Sequence, residues 1–421
     1  MNERPTNWAR NVTFGARRLE VPTSVEQLQD LVAHGSPVRA LGSGHSFSDI
    51  ADTSGVLVSL AGLPQRVEID VEQSTATVSA GIRYTQLCPR LNSNGYALHN
   101  LGSLPHVSVA GSCATATHGS GDGNGNLATA VSAIELVTGD GSLRTLSSSA
   151  DGDLFNGVVV GLGSLGIVTS LTLDIQPAFD VQQYVFEGLP YDVLVERADE
   201  IFASGYSVSV FTDWWSSRAD QVWVKRRTDD PRDPTATFFG ARPADAARNP
   251  VPGMPADNCT EQMGVPGPWH ERLPHFRPDF TPSSGDELQS EYLVPRQHAA
   301  DALDALRRIG HRVAPVLQIS ELRTAASDAL WMSPSYRHDV MGMHFTWVDD
   351  MDAVLPVVSL VEGALAPFDA APHWGKLSTT PAEVVRALYP RLGDFRDLVR
   401  DLDPSRKFRN VFVDRYLLED R

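Results

Sequence analysis

The sequence predicts a two-domain α+β protein, and three observations carry that prediction. Through residues 12–173, short β-rich runs alternate with glycine turns and short helical stretches. After Pro177 the character changes, with Trp214, Trp215 and Trp223 set among strand-like runs. From 287 to 365 the order is strand, helix, strand, strand, helix, which fits an antiparallel sheet with helices packed on one face. At 421 residues the chain also exceeds the size at which one hydrophobic core keeps growing.

Taken in order, residues 24–33 place apolar side chains at helical spacing, with Thr23 or Ser24 as N-cap. Residues 55–60, 76–79 and 132–138 read as strands bounded by turns. Between 229 and 282 many of the 28 prolines gather with little periodicity, so a long irregular excursion is expected, of the kind that covers a site. Alternation returns at 287–294, 317–324 and 343–348, with helical patterns at 298–309 and 353–365. An amphipathic stretch at 381–392 precedes the tail.

Composition narrows the function. Hydrophobic residues at 42% and charged residues at 21% are ordinary globular usage, and no uninterrupted apolar run nears the ~20 residues that span a bilayer. The polar start, Met1 to Trp8, lacks a secretory pattern, so a cytoplasmic protein is expected. Cys88, Cys113 and Cys259 are odd in number and far apart, which suggests neither a disulfide framework nor a metal site. A formal charge of −17 repels phosphate backbones and anionic lipid, so neither nucleic acid nor membrane is an expected partner.

Three glycine-rich segments could cradle a ligand. Leu41-Gly-Ser-Gly-His-Ser-Phe47 follows an apolar run, so its amides can face an anion such as a pyrophosphate, although two glycines near a turn equally suit plain turn chemistry. The second, from Ser103 to Gly125, is dominated by small residues, which let backbone approach a flat or charged ligand, and it reads as a binding loop. The third, Gly161-Leu-Gly-Ser-Leu-Gly-Ile-Val168, matches the GxGxxG spacing, but residues 176–180 turn into a linker instead of continuing a βαβ unit, so a nicotinamide site is rejected.

In order, Gly42-Ser-Gly-His45, Ser103-Leu-Pro-His-Val-Ser-Val-Ala-Gly-Ser112, Ala114-Thr-Ala-Thr-His-Gly119, Gly163-Ser-Leu-Gly-Ile167, His373-Trp-Gly-Lys376 and the run from Asp403 to Asn410 resemble the vanillyl-alcohol-oxidase-type flavoproteins. With Val251-Pro-Gly-Met-Pro255, Phe276, Gln289-Ser-Glu-Tyr292 and Glu321-Leu-Arg323 added, the resemblance within that group is to the alditol oxidases, and it covers nearly the whole chain. It implies an FAD-binding domain over 1–178, a substrate domain with an antiparallel sheet over 179–375, and a return of 376–421 to the FAD-binding domain. FAD is then expected to be attached through His45. Its contacts are expected at Leu41, Gly42, Ser43, Gly44, Ser46, Phe47, Ser103, Ser108, Gly111, Ser112, Ala114, Thr115, Thr117, His118, Gly119, Ile167 and His373, with no metal. A second, cysteinyl attachment is not expected, and Cys113 reads as packing.

Oxidising an alcohol requires a held carbinol and a group that accepts or stabilises the proton leaving its oxygen. Glu321 and Arg323 are two apart on a strand, so they share a face, either as a structural ion pair or as part of a site. In the second reading Arg323 and Lys376 bracket the reacting oxygen, while Glu321 accepts hydrogen bonds from hydroxyls. His344 and Thr346 share a face by the same arithmetic, and would join the first pair if the strands are adjacent; a lone histidine there could equally be a satisfied core group. Ser103 offers a hydroxyl or serves as a turn residue. A pocket so rich in donors and acceptors suits a neutral polyol better than an aromatic alcohol.

The expected activity is oxidation of the C1 hydroxyl of polyols such as xylitol and sorbitol, with hydride passing to flavin N5 and O2 reduced to H2O2, by a monomer. An aldonolactone oxidoreductase and a non-catalytic flavin-binding protein are the alternatives. Two departures from the family pattern stand out: Leu377-Ser-Thr379 replaces Val-Phe-Thr after Lys376, and Ser48-Asp49 replaces Asn-Glu after Phe47.

Overall fold

The computed structural model describes residues 4–35, 37–231, 238–280 and 286–418. Parts of the proline-rich excursion, 232–237 and 281–285, lie outside the described residues. Besides a two-stranded pair of Tyr96–Ala97 with Gln176–Pro177, the N-terminal part holds two larger sheets. One is parallel and three-stranded, with Val56–Ser59 between Arg18–Glu20 and Val38–Leu41. The other is antiparallel and five-stranded, in the order Val67–Asp70, Thr75–Ser79, Ile167–Asp174, Val131–Val137 and Leu143–Ser147.

Local chemistry places these elements. The helix Val25–His34 begins at Ser24, whose hydroxyl accepts from the Gln27 amide at 3.3 Å, and it buries Leu28 and Val32 one helical turn apart. The Gly161 to Gly166 turn leads into Ile167–Asp174, which runs antiparallel to both neighbours. No βαβ crossover exists there, which is the structural reason the GxGxxG spacing carries no nicotinamide site.

The tail folds back onto this part. Phe408 packs with Leu28, Val32 and Val38, while the helix Leu392–Leu402 puts Phe395, Leu398 and Val399 into the core around Phe155 and Val158. Asn410 Nδ2 donates to the carbonyls of Asp49, Ile50 and Asp52. The fully buried Arg39 guanidinium donates to Gly163 O at 2.7 Å, Phe408 O at 2.9 Å, Leu162 O at 3.0 Å and Ile50 O. One side chain thus ties the third glycine segment to the tail. Burial pushes its pKa down only to about 10, so it keeps its charge.

The second part is a nine-stranded sheet. Its main path runs Arg242–Pro243, Asp180–Pro190, Arg218–Arg227, Ser207–Thr212, Leu317–Ala325, Val340–Val348, Glu287–Pro295 and Ala371–Pro372, with Gly267–Pro268 paired to the Asp180 strand. Every main-path pairing is antiparallel. The sheet has two chemically opposite faces because strand side chains alternate. Met343, Phe345 and Trp347 turn to one face with Leu288, Tyr292 and Leu322, where the helices Ala299–Val313 and Met351–Leu365 cover them. Fully burying each such side chain stabilises by roughly 1.5–3 kcal/mol. Gly342, His344 and Thr346 turn to the other face.

The stretch Met351–Phe368 is long and apolar enough by composition to cross a membrane, which qualifies the sequence reading on apolar runs. In the fold it lays Val354, Val358, Val361 and Leu365 on the sheet. The 381–392 stretch is also shorter in helix than its pattern suggests. The helix Ala382–Ala387 ends before Pro390, and the larger amphipathic helix follows it.

Candidate active site

A cavity of about 420 Å³ lies between the polar face of the large sheet and the three glycine-rich segments. That volume falls within the usual range of small-molecule sites, about 300–1,000 Å³. On the N-terminal side its wall is backbone and small side chains. A Cβ placed on Gly42 would sit 2.5 Å from Ser108 Oγ, and one on Gly111 2.6 Å from the same atom, so Ser108 is seated between two glycines. Gly44 has φ +68°, a left-handed conformation that glycine adopts without strain. Among the described residues, the amides of Ser43, Gly44, His45 and Ser46 find no protein acceptor. A row of free N–H groups on a glycine turn is the donor set a pyrophosphate needs, and the small walls at Gly111, Ser112, Ala114 and Thr115 admit a flat group, so these residues fit FAD.

His45 lines this wall with its ring 4.4 Å from Trp8, whose amide donates to Gly44 O. Its pKa is pushed down to about 3, first by burial and then by Lys376 and His106, so the imidazole is neutral at physiological pH. Cys113 is buried, and burial pushes its thiol up to about 12, far from a reactive thiolate.

The opposite wall is built by register. Glu321, His344 and Glu291 are direct partners across three adjacent strands, and Ile319, Thr346 and Gln289 form the next row. Arg323 stands opposite Gly342, where the missing side chain makes room for His118; a Cβ there would lie 2.9 Å from His118 Cε1. The adjacency on which the pairing of His344 and Thr346 with Glu321 and Arg323 depends is therefore present.

Arg323 Nη2 donates to Glu291 Oε1 at 2.6 Å, and Nη1 donates to His118 O at 3.2 Å and Ser103 Oγ at 3.5 Å. His118 Nε2 is 3.1 Å from that same Glu291 oxygen. Burial alone would raise the Glu291 pKa, but Arg323 and His118 hold it well below the usual carboxylate range. Glu321 is likewise held low against its burial by Arg323 and His275, the latter with Nε2 2.7 Å from Oε1. Lys376 enters from the His373 turn, lies over the Phe47 ring with Nζ 5.0 Å from its centroid, and donates to Gln289 Oε1. Its pKa is pushed down to about 8, chiefly by burial and also by Arg323, with Glu291 opposing. His344 Nε2 shares Gln289 Oε1 at 3.2 Å, and its pKa is pushed down to about 3 by burial.

Most residues anticipated from sequence line this cavity, including Leu41 to Ser46, Ser103, Ser108, Gly111, Ser112, Ala114, Thr115, Thr117, His118, Glu321, Arg323, His344, Thr346, His373 and Lys376. Three do not. Ile167 points into the core with Leu28, Val38 and Phe408, because strand alternation gives the cavity to Gly166 and Val168. Phe47 is buried beneath Lys376 instead of facing the cavity. Gly119 lies against Leu101 and Asn100, where a Cβ would be 2.4 Å from Leu101 O.

Sequence reasoning missed four polar groups: Glu291, Gln289, His275 and Lys225. The first two sit at two-residue spacing in the Gln289-Ser-Glu291 run, the same signal that placed Glu321 with Arg323. His275 lies in the excursion, whose lack of periodicity gives no hint of where its side chains point.

The fold and this site define an FAD-dependent oxidoreductase of the vanillyl-alcohol-oxidase type. A family model described as an FAD binding domain matches residues 16–147, and one described as D-arabinono-1,4-lactone oxidase matches 286–416. The structure is similar to cholesterol oxidase from B. sterolicum, with a TM-score of 0.76 at 13% identity, covering 99% of this chain and 96% of that one. The chain belongs to the alditol oxidase family: it is 54% identical to an alditol oxidase of Streptomyces sp. over 98% of its own length and 99% of that protein's. It is also 28% identical to an L-gulono-1,4-lactone dehydrogenase of Mycobacterium tuberculosis, over 98% of each chain.

Proposed function

We propose that the protein oxidises the terminal C1 carbinol of an alditol, such as xylitol or sorbitol, to the aldehyde of the aldose, with O2 reduced to H2O2. The observation that carries this reading is the polar row on the sheet: carboxylate, guanidinium, amine, imidazole and hydroxyl converge on one cavity from Glu321, Arg323, Lys376, His344 and Thr346. A site built to pair hydroxyl groups favours a polyol over an alcohol that leaves them unpaired.

FAD, when bound, supplies the two-electron acceptor for the carbinol and the route from there to O2. The chain supplies the rest. Lys376, with a pKa of about 8, is a base matched to neutral pH and takes the hydroxyl proton at Nζ. Arg323, whose charge its two carboxylates reinforce, stabilises the alkoxide character that develops. Glu321 accepts from the neighbouring hydroxyl, and Ser103 and Thr346 receive the far end of the chain. The neutral imidazole of His45, on the cofactor wall, is the group we assign to covalent attachment of the flavin.

The same reading divides the chain into FAD-binding segments 1–178 and 376–421 around a substrate domain at 179–375. It makes the protein a cytoplasmic monomer acting on small molecules without nucleic-acid or membrane partners, in keeping with its charge of −17. The match of residues 286–416 to a lactone oxidase model favours one rival, oxidation of an aldonolactone. Peroxide release with xylitol, sorbitol, simple diols and L-gulono-1,4-lactone separates the two. Turnover of polyols supports the proposal, and turnover of the lactone alone overturns it.

A further inference from the structure

We propose that Lys225 is a positioning residue for this reaction: it fixes the tautomer of His275, which in turn presents Glu321 to the substrate with one oxygen free. The inference rests on the reading of Glu321 as an acceptor for a substrate hydroxyl.

Lys225 lies on the Arg218–Arg227 strand and is 1% exposed. A buried ammonium is costly unless every N–H is paired, and here each has an acceptor: Leu273 O at 2.5 Å, Pro274 O at 3.0 Å and His275 Nδ1 at 3.1 Å. Burial pushes the Lys225 pKa down to about 7 while Glu321 opposes the shift; in its ammonium form the group has donors and no lone pair, so Nδ1 of His275 accepts. In a neutral ring the proton is then on Nε2, which points at Glu321 Oε1 from 2.7 Å. The ring stands edge-on to Trp223 at 5.1 Å and Phe211 at 5.7 Å, contacts that favour this orientation. The opposite tautomer would set a lone pair against the carboxylate and drive Glu321 away.

The charged and titratable groups that face this pair are Glu321, Arg323 and the Cys259 thiol. Burial, and then Lys225 itself, pushes His275 down to about 4, so the ring is neutral and has a tautomer to choose. Glu321 makes its described contacts through Oε1, to His275 and at 3.6 Å to Arg323 Nε, and the residue lines the cavity. Oε2 is thereby kept for a ligand. His275 also donates its amide to Ser103 O at 3.1 Å, so the same excursion steadies the small-residue loop.

The test uses the flavin-loaded full chain and steady-state kinetics with xylitol. His275→Gln keeps an N–H for Glu321 and has no tautomer to set, so it provides the background in which Lys225 has nothing to fix. Lys225→Met should raise KM about tenfold or more with a smaller change in kcat, and the double variant should recover most of that loss. An unchanged KM in Lys225→Met, or a double variant no better than Lys225→Met, overturns the proposal. Should Lys225→Met fail to fold or load flavin, His275→Phe is compared with His275→Gln in the Lys225 background. A higher KM in the Phe variant alone supports the proposal, and equal values overturn it. Glu321→Ala separates the two layers. No effect there overturns the role given to Glu321 and this proposal with it, whereas a large effect with none in Lys225→Met overturns the role of Lys225 alone.

Discussion

Arg323 pairs more closely with Glu291, two strands away, than with Glu321 on its own strand: Nη2 to Glu291 Oε1 is 2.6 Å, and Nε to Glu321 Oε1 is 3.6 Å. Both carboxylates are buried, so the guanidinium is charge-balanced before any substrate arrives. Glu291→Gln keeps the shape and removes one charge. Breaking a buried pair costs about 3–5 kcal/mol, and with Glu321 still present a loss near the lower end is expected in chemical denaturation of the holoprotein. An unchanged midpoint would show that Glu321 alone compensates the cation.

Lys376 sets the sign of the pH dependence. A base must be deprotonated to act, so kcat/KM for xylitol should rise with pH through about 8 and then level off. Lys376→Met should lose that inflection and roughly 10²–10⁴-fold in rate, the usual contribution of a general base. A profile that falls through the same pH would instead make the ammonium the active form.

Acid should destabilise the fold early. His275, His344 and His373 are buried with pKa values pushed down, chiefly by burial, to about 4, 3 and 3. Unfolded, each takes up a proton below about pH 6.5. Between there and the folded values the unfolded chain binds more protons, so stability falls as pH falls, by up to ~1.4 kcal/mol per pH unit for each group. Glu291 and Glu321, both held low, add to the slope below their unfolded values near pH 4.5. Melting temperature should therefore drop steadily from pH 6.5 to 4, and His344→Gln should flatten the drop.

The glycine wall makes a steric prediction. Gly42→Ala places a methyl 2.5 Å from Ser108 Oγ and should lower the flavin-to-protein ratio. Ser108→Ala removes the clashing atom, so the double variant should regain flavin.

The attachment at His45 is read from the protein after acid precipitation. Yellow colour should stay with the pellet of the native protein and move to the supernatant for His45→Ala. Colour released from the native protein would contradict a covalent bond.

How much of this is legible in the sequence follows from periodicity. In the strands at 287–295, 317–325 and 340–348 side chains two apart share a face, so spacing alone assigns Glu321 with Arg323, and His344 with Thr346, to common faces. The Ile167 side chain falls outside the cavity because a motif names consecutive residues, whereas a strand sends alternate side chains to opposite sides. The order of strands across a sheet leaves no local trace, so the Arg323 to Glu291 pairing is invisible there. His275 is hidden for another reason. It sits in an aperiodic proline-rich segment, and it stands beside Glu321 next to the carbonyls of Leu273 and Pro274 that accept from Lys225 on another strand.

The most direct test of polyol oxidation at this site is anaerobic mixing of the flavin-loaded protein with xylitol while the visible absorbance is followed. The oxidised flavin band should bleach, and admitting O2 should restore it with one equivalent of H2O2. A band that xylitol and sorbitol leave intact but L-gulono-1,4-lactone bleaches would contradict the account.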